Sequence, residues 1–95
     1  MMVDSMGIFI IFNVSAIDKV RDAIASEMPN NFLEVTPGQW FVSADGTAQE
    51  VSDRLKISTG ESGSAIVVSM GGYYGRTSNN VWDWIKAKAE EKNGQ

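Results

Sequence analysis

A run of five apolar residues, Ile8 to Phe12, constrains the fold of this 95-residue chain more than any other feature. Isoleucine and phenylalanine are enriched in β-strands because branched and aromatic side chains pack well on a pleated surface. The run does not alternate with polar residues, and unbroken apolar runs are typical of strands covered on both faces. The sequence therefore predicts a central strand, ending at Asn13, in a sheet with packed layers on both sides.

An amphipathic helix is predicted directly after this strand. Ser15 can act as its N-cap, with Asp18 three residues on as an approximate capping box. Apolar side chains then recur at helical spacing and form one stripe: Ile17, Val20, Ile24 and Met28. The sequence Pro-Asn-Asn at 29–31 ends the helix.

A strand pair and a second helix are predicted in the middle of the chain. Phe32–Val35 and Gln39–Ser43 flank Thr-Pro-Gly at 36–38, which suits a type II turn. Thr47 and Glu50 then have the spacing of a full capping box. The helix behind them is expected to turn three side chains inward (Ala48, Val51 and Leu55) and to pair Glu50 with Arg54 on its outer side.

One more strand and one more helix are predicted in the last third. Ala65–Met70 is strongly apolar and follows the polar loop Thr59–Ser64. A helix over about Val81–Lys92 aligns three apolar residues on one side: Val81, Ile85 and Ala89.

The predicted order β-α-β-β-α-β-α indicates one α+β domain over residues 1–95. With right-handed crossovers it gives a ferredoxin-like βαββαβ fold, a four-stranded antiparallel sheet with both helices on one face. The added C-terminal helix must then cover the open face of the sheet or pack across an edge. We expect residues 1–6 to be disordered and residues 93–95 to form a frayed tail.

Composition excludes several kinds of active site. The chain has no cysteine and no histidine, which rules out disulfides, a Ser-His-Asp hydrolase and a His-ligated zinc enzyme. No motif indicates a cofactor, and no catalytic residue can be named. The net charge of −4 disfavours nucleic-acid binding, because that affinity depends on clustered Lys and Arg. With no apolar stretch long enough for a membrane, we expect a cytoplasmic protein.

Three segments resemble a known family: Ile8–Ser15, Trp40–Val42 and Thr47–Leu55. They look like small proteins related to the CRISPR-associated endoribonuclease-like (adaptation dimer) family, and more closely like its SinR-like relatives. Those relatives tend to end in a Trp-Leu-Lys helix, which Trp84-Ile85-Lys86 resembles here. The resemblance covers nearly the whole chain, and its motifs are mostly core patterns. It implies the ferredoxin-like fold and a homodimer formed through sheet edges.

The resemblance also raises the possibility of metal-dependent cleavage. In the nuclease branch of that family, an aspartate at the end of the first strand holds a divalent metal together with its copy across the dimer. The matching position in this chain is Asn13, whose neutral amide is a poor replacement for a carboxylate facing a hard cation. The alternative is a nuclease that has moved its carboxylate, with Asp18 as the nearest substitute.

The loop Gly71–Arg76 is the most distinctive candidate site. Its glycines permit close approach to a ligand, and Tyr73, Tyr74 and Arg76 offer stacking surfaces and a forked cation. Such a loop could bind a phosphate or nucleotide. The simpler alternative is a turn whose tyrosines pack at a subunit interface.

Two further features concern partner binding. Trp82 and Trp84 lie two residues apart on one helix and cannot face the same core, so one is expected in an interface, unless the helix presents a broad apolar face to the sheet. The acidic residues of the first two helices could dock a basic partner or simply stay solvated (Asp18, Asp22, Glu27, Asp45, Glu50 and Asp53).

These features favour a small non-enzymatic interaction or regulatory protein, a homodimer with an unidentified protein partner. The alternatives are a divalent-metal-dependent nuclease and nucleic-acid or nucleotide binding through the Gly71–Arg76 loop.

Overall fold

The computed structural model describes residues 7–71, 75 and 79–93. Within these residues the chain forms four strands and three helices in the predicted order. Their bounds are β1 Gly7–Phe12, α1 Ile17–Glu27, β2 Phe32–Thr36, β3 Gln39–Ala44, α2 Ala48–Arg54, β4 Ile66–Ser69 and α3 Asn79–Asn93.

The strands form one antiparallel sheet in the order β2-β3-β1-β4. β1 lies in the middle, with Ile10 opposite Phe41 of β3 on one side and opposite Val68 of β4 on the other. Each helix of the two βα units connects strands separated by one intervening strand. This is the ferredoxin-like fold with an added C-terminal helix, as predicted from the order of the elements.

The hydrophobic core contains the side chains that β1 and β3 direct to one face of the sheet and the apolar stripes of α1 and α2. Phe9, Ile11 and Trp40 are fully or almost fully buried there, together with Val20 and Ile24 of α1. Val42, Val51 and Leu55 complete the most deeply buried set. The stripes predicted for both helices are therefore confirmed, with Ile17 and Ala48 only partly buried at the ends of the cluster.

The predicted N-cap of α1 is wrong. Ala16 is the N-cap residue, and no side chain caps the helix. Ser15 lies one residue before the N-cap, and its side chain is directed elsewhere: its Oγ accepts a hydrogen bond from the backbone N–H of Ser64 at 2.9 Å, while its own N–H donates to the Ser64 carbonyl at 2.9 Å. The Ser15 side chain therefore bonds to a residue 49 positions later in the sequence and not to the start of α1.

The capping box of α2 is confirmed, and it explains why the predicted Glu50–Arg54 pair is wrong. Thr47 Oγ1 accepts from the Glu50 N–H at 3.1 Å, and the Glu50 carboxylate accepts from the Thr47 N–H at 2.8 Å. Since that carboxylate faces the start of the helix, Arg54 instead pairs with Asp45 at 3.3 Å.

The end of α2 is a Schellman motif with a non-glycine residue in the left-handed position. The Lys56 N–H donates to the Asp53 carbonyl at 3.1 Å and the Ile57 N–H donates to the Ser52 carbonyl at 2.9 Å. Lys56 has φ +61°, where glycine is usual. Gly38, by contrast, supplies the φ of +92° that the predicted type II turn requires.

Candidate interaction surface

α3 lies on the face of the sheet opposite α1 and α2, and its main contacts are with β1 and β2. Among the side chains of α3 that the structure describes, Val81 and Ile85 are buried, at 5% and 4% exposure. They are four residues apart, so they lie on the same side of the helix. The helix begins two residues before the predicted start, and Ala89, predicted to align with them, has a side chain outside the described part. α3 therefore packs on the open face of the sheet and covers part of it, which is one of the two positions that the sequence left open.

Trp84 and Lys88 hold α3 against β3 and against the loop that precedes β2. The Trp84 ring stacks on Phe41 of β3, with centroids 6.2 Å apart and planes 23° from parallel. Lys88 Nζ donates to the Asn31 side-chain oxygen at 3.0 Å and to the Asn30 carbonyl at 3.3 Å. The same ammonium lies 6.0 Å from the Trp84 ring, within the range of a cation–π contact.

β4 lies at the other edge of the sheet, away from the main contacts of α3. Ile66 and Val68 are 44% and 40% exposed. They lie opposite Phe12 and Ile10 of β1 in the register, so the four side chains share one face of the sheet. The result is an apolar strip at the side of the sheet that α3 leaves uncovered. We call Ile66 and Val68, with the backbone edge of β4, the β4 surface.

The backbone of β4 presents hydrogen-bonding groups to this edge. Met70 N–H donates to the Ile8 carbonyl at 2.8 Å, which makes this pair a hydrogen-bonded pair of the antiparallel ladder. Because this pattern alternates along the strand, the backbone N–H and C=O groups of Ile66 and Val68 also point towards β1. The N–H and C=O groups of Val67 and Ser69 point away from β1, towards the open edge. No strand of the described chain lies beyond β4.

The opposite edge, at β2, is different because a charged residue and an irregularity interrupt it. Glu34 accepts two hydrogen bonds from Arg21 of α1, at 2.9 and 2.7 Å. The register between β2 and β3 shifts between Glu34 and Thr36, and Pro37 follows directly. Charges, bulges and proline are the features by which natural edge strands avoid pairing with another chain.

The Arg21–Glu34 pair has an electrostatic consequence. The hydrogen bond from Arg21 is the main reason that the pKa of Glu34 lies below its usual value, although desolvation acts in the opposite direction. Trp40 lies opposite Glu34 in the register of β2 and β3, and its Nε1 is buried without a hydrogen-bond partner among the described residues.

The end of β1, where a catalytic aspartate would be expected from the resemblance, forms a polar turn. Asn13 is exposed, with φ +60°, a conformation that asparagine tolerates better than most residues. Gly63 approaches this turn so closely that a Cβ there would lie 2.7 Å from the Ala16 Cβ. Asn13 and Ser15 thus lie in the turn between β1 and α1.

The described residues contain no group of three or more Asp, Glu, His or Cys side chains that could hold a metal ion. Asp18, the proposed substitute carboxylate, is 93% exposed and pairs with Arg21 at 3.0 Å. All six acidic residues singled out on and beside the first two helices are exposed, and Asp45 and Glu50 pair with Arg54 and the Thr47 N–H. Exposure fits both a solvated face and a surface for a basic partner, so both alternatives stay predictions.

The structure places only part of the predicted partner-binding set. Trp82 and Trp84 are both half-buried, and Trp84 is committed to Phe41 within the chain. Tyr73, Tyr74 and Arg76 lie outside the described residues, as do residues 1–6 and the end of the predicted frayed tail. Sequence reasoning missed the exposure of β4, because an uncharged stretch such as residues 62–75 is equally typical of a buried strand.

In the described part of the chain, no helix combines the length and apolar character needed to cross a membrane. No protein-family model matches this chain, and no curated protein or solved structure is significantly similar to it.

Proposed function

We propose that this protein is a small non-enzymatic interaction module that forms a homodimer through the β4 surface. The observation that carries the proposal is an edge strand with two exposed apolar side chains, Ile66 and Val68, and no charge to prevent pairing. Exposed apolar residues on an unprotected edge mark a site where another chain adds to the sheet.

The charge pattern favours a second copy as the occupant. In a symmetric contact each patch meets its own copy, so a charged strand would face its own charge. The chain carries a net charge of −4, yet residues 62–75 contain no Asp, Glu, Lys or Arg. The neutral stretch includes all of β4, so two copies can meet there without repulsion between side chains.

The contrast between the two edges also supports β4 as the contact. Val35, near the β2 edge, is 40% exposed, the same as Val68. Its neighbour Glu34 is charged and bonded to Arg21, and the ladder beside it is irregular. Both edges thus expose an apolar side chain. Of the two edge strands, β4 is the one that combines a regular ladder with uncharged side chains.

The proposal is tested by measuring the mass in solution over a concentration series. A contact between two strand edges is small, below about 1,200 Å², and interfaces of that size are weak. The mass is expected to rise from the 10.4 kDa of one chain towards twice that value as concentration increases. Light scattering coupled to size exclusion, or sedimentation equilibrium, provides the measurement.

Two variants locate the contact. The double substitution Ile66→Lys with Val68→Lys places positive charges on the β4 surface, and it should hold the protein at monomer mass at every concentration. Val35→Lys is the matched control, since it charges an equally exposed valine near the other edge, and it should associate as the native chain does. A native chain that stays monomeric, or a control that dissociates equally, contradicts the proposal.

A further inference from the structure

The backbone pattern of β4 defines how two copies would pair, and this inference rests on the proposed function. The groups directed outward belong to Val67 and Ser69, as the ladder with β1 shows. Ala65 continues the same alternation, because its side chain packs against the same core as that of Val67. Three successive odd-numbered residues therefore offer their N–H and C=O groups to a neighbouring strand.

We propose that β4 pairs antiparallel with β4 of a second copy, with Val67 opposite Val67 on the two-fold axis. This register places Ala65 opposite Ser69 of the other copy on both sides of the axis. All three outward residues then form hydrogen-bonded pairs, which joins the two sheets into one of eight strands. The next possible registers are shifted by two residues, because only outward residues can pair with each other. Each of these registers leaves either Ala65 or Ser69 of each copy without a partner among the three outward residues.

The exposed side chains favour the same register. With Val67 on the axis, each Ile66 lies directly opposite Val68 of the other copy. The two residues form a non-hydrogen-bonded pair, in which side chains approach most closely. Both exposed apolar side chains of each copy are then covered by an apolar partner. A shift of two residues opposes Val68 to Val68 but leaves Ile66 against Met70, and the reverse shift leaves Val68 against Ser64.

The two-fold axis of this pair is perpendicular to the sheet, so equivalent faces of the two copies lie on the same side. The apolar strip of Ile66 and Val68 in one copy therefore continues into that of the other. Both α3 helices lie on this side, towards the outer parts of the joined sheet, because their main contacts are with β1 and β2.

Engineered cysteines test the register without background, since the chain contains none. Residues 66 and 68 of different copies would have Cα atoms about 4.5 Å apart, within the range of about 4.4–6.8 Å that disulfides span. Two copies of residue 66, or two of residue 68, would be diagonal neighbours at about 7–8 Å, which is too far. Mild oxidation of an equimolar mixture of Ile66→Cys and Val68→Cys should therefore produce the mixed disulfide dimer.

Each variant oxidised alone should yield at least tenfold less covalent dimer than the mixture. Abundant Ile66→Cys dimer alone would indicate residue 66 on the axis, and abundant Val68→Cys dimer alone would indicate residue 68, so either result overturns the proposed register. Light scattering on the reduced mixture separates this failure from failure of the proposed function. A reduced protein of dimer mass without the mixed disulfide refutes the register alone, whereas monomer mass at every concentration refutes both.

Discussion

Lys56 adopts a backbone conformation that favours glycine, which makes its replacement a stringent test of how α2 ends. The residue follows the C-cap Leu55 and has φ +61°. Two hydrogen bonds of the Schellman motif hold it there, donated by its own N–H and by that of Ile57. A side chain in the left-handed region costs about 1–2 kcal/mol because its Cβ crowds the following carbonyl.

Lys56→Gly removes that cost and adds a smaller one. Glycine gives the unfolded chain more backbone freedom, which opposes folding by about 0.5–1 kcal/mol. The difference predicts a gain of about 0.5–1 kcal/mol in the free energy of unfolding. For a domain of this size, 1 kcal/mol corresponds to about 4–8 °C in melting temperature. Urea unfolding followed by circular dichroism measures the free energy directly.

Lys56→Ala is the matched control for this prediction. It removes the same charge and the same long side chain but keeps the Cβ, so its stability should stay within about 0.5 kcal/mol of the native value. Equal stabilisation by alanine and glycine would attribute the effect to charge, and destabilisation by glycine would refute the conformational argument.

Three further substitutions test contacts described above, each measured by chemical unfolding. Thr47→Ala removes one half of the capping box and should lower the free energy of unfolding by about 1 kcal/mol, whereas Thr47→Ser should retain most of it. Ile85→Ala should cost about 2–4 kcal/mol because this side chain of α3 is buried against the sheet, and a loss below 1 kcal/mol would show that α3 does not pack against the sheet through Ile85. Glu34→Gln should reduce stability above about pH 4.3, the usual glutamate pKa. Since the pKa of Glu34 is lowered in the folded protein, the difference in the free energy of unfolding between the native chain and Glu34→Gln should disappear as the pH falls through that lowered pKa. A difference that does not change with pH would refute the stabilising role of the Arg21–Glu34 pair.

The elements that sequence predicted well depend on local or periodic signals. The box formed by Thr47 and Glu50 involves residues three apart, so no distant group is needed to identify it. The unbroken apolar run of β1 identifies a strand packed on both faces, and β1 lies in the middle of the sheet.

The errors arose where a distant residue competed for a local partner. Ser15 has the sequence context of an N-cap, yet the chain after α2 returns to this point and Ser64 takes its hydroxyl. Glu50 and Arg54 have the spacing of an ion pair, but the carboxylate is committed to the capping box. Neither outcome follows from propensity or spacing alone.

The candidate site could not be predicted because it depends on where α3 packs. β4 is as apolar as β1 in sequence, and the sequence does not show that α3 lies towards β2 and leaves Ile66 and Val68 exposed. The tryptophan prediction was too coarse for a similar reason, since Trp84 stacks on Phe41 within the same chain. The unidentified protein partner, the nuclease alternative and nucleotide binding through the Gly71–Arg76 loop stay predictions.

Amide hydrogen exchange at β4 tests most directly whether this strand joins two copies. In a monomer the outward N–H groups of Val67 and Ser69 are open to solvent, whereas those of Ile66 and Val68 bond to β1. Raising the protein concentration should therefore slow exchange at Val67 and Ser69 far more than at their neighbours. Fast exchange at these two amides, unchanged from micromolar to millimolar protein, would contradict the account.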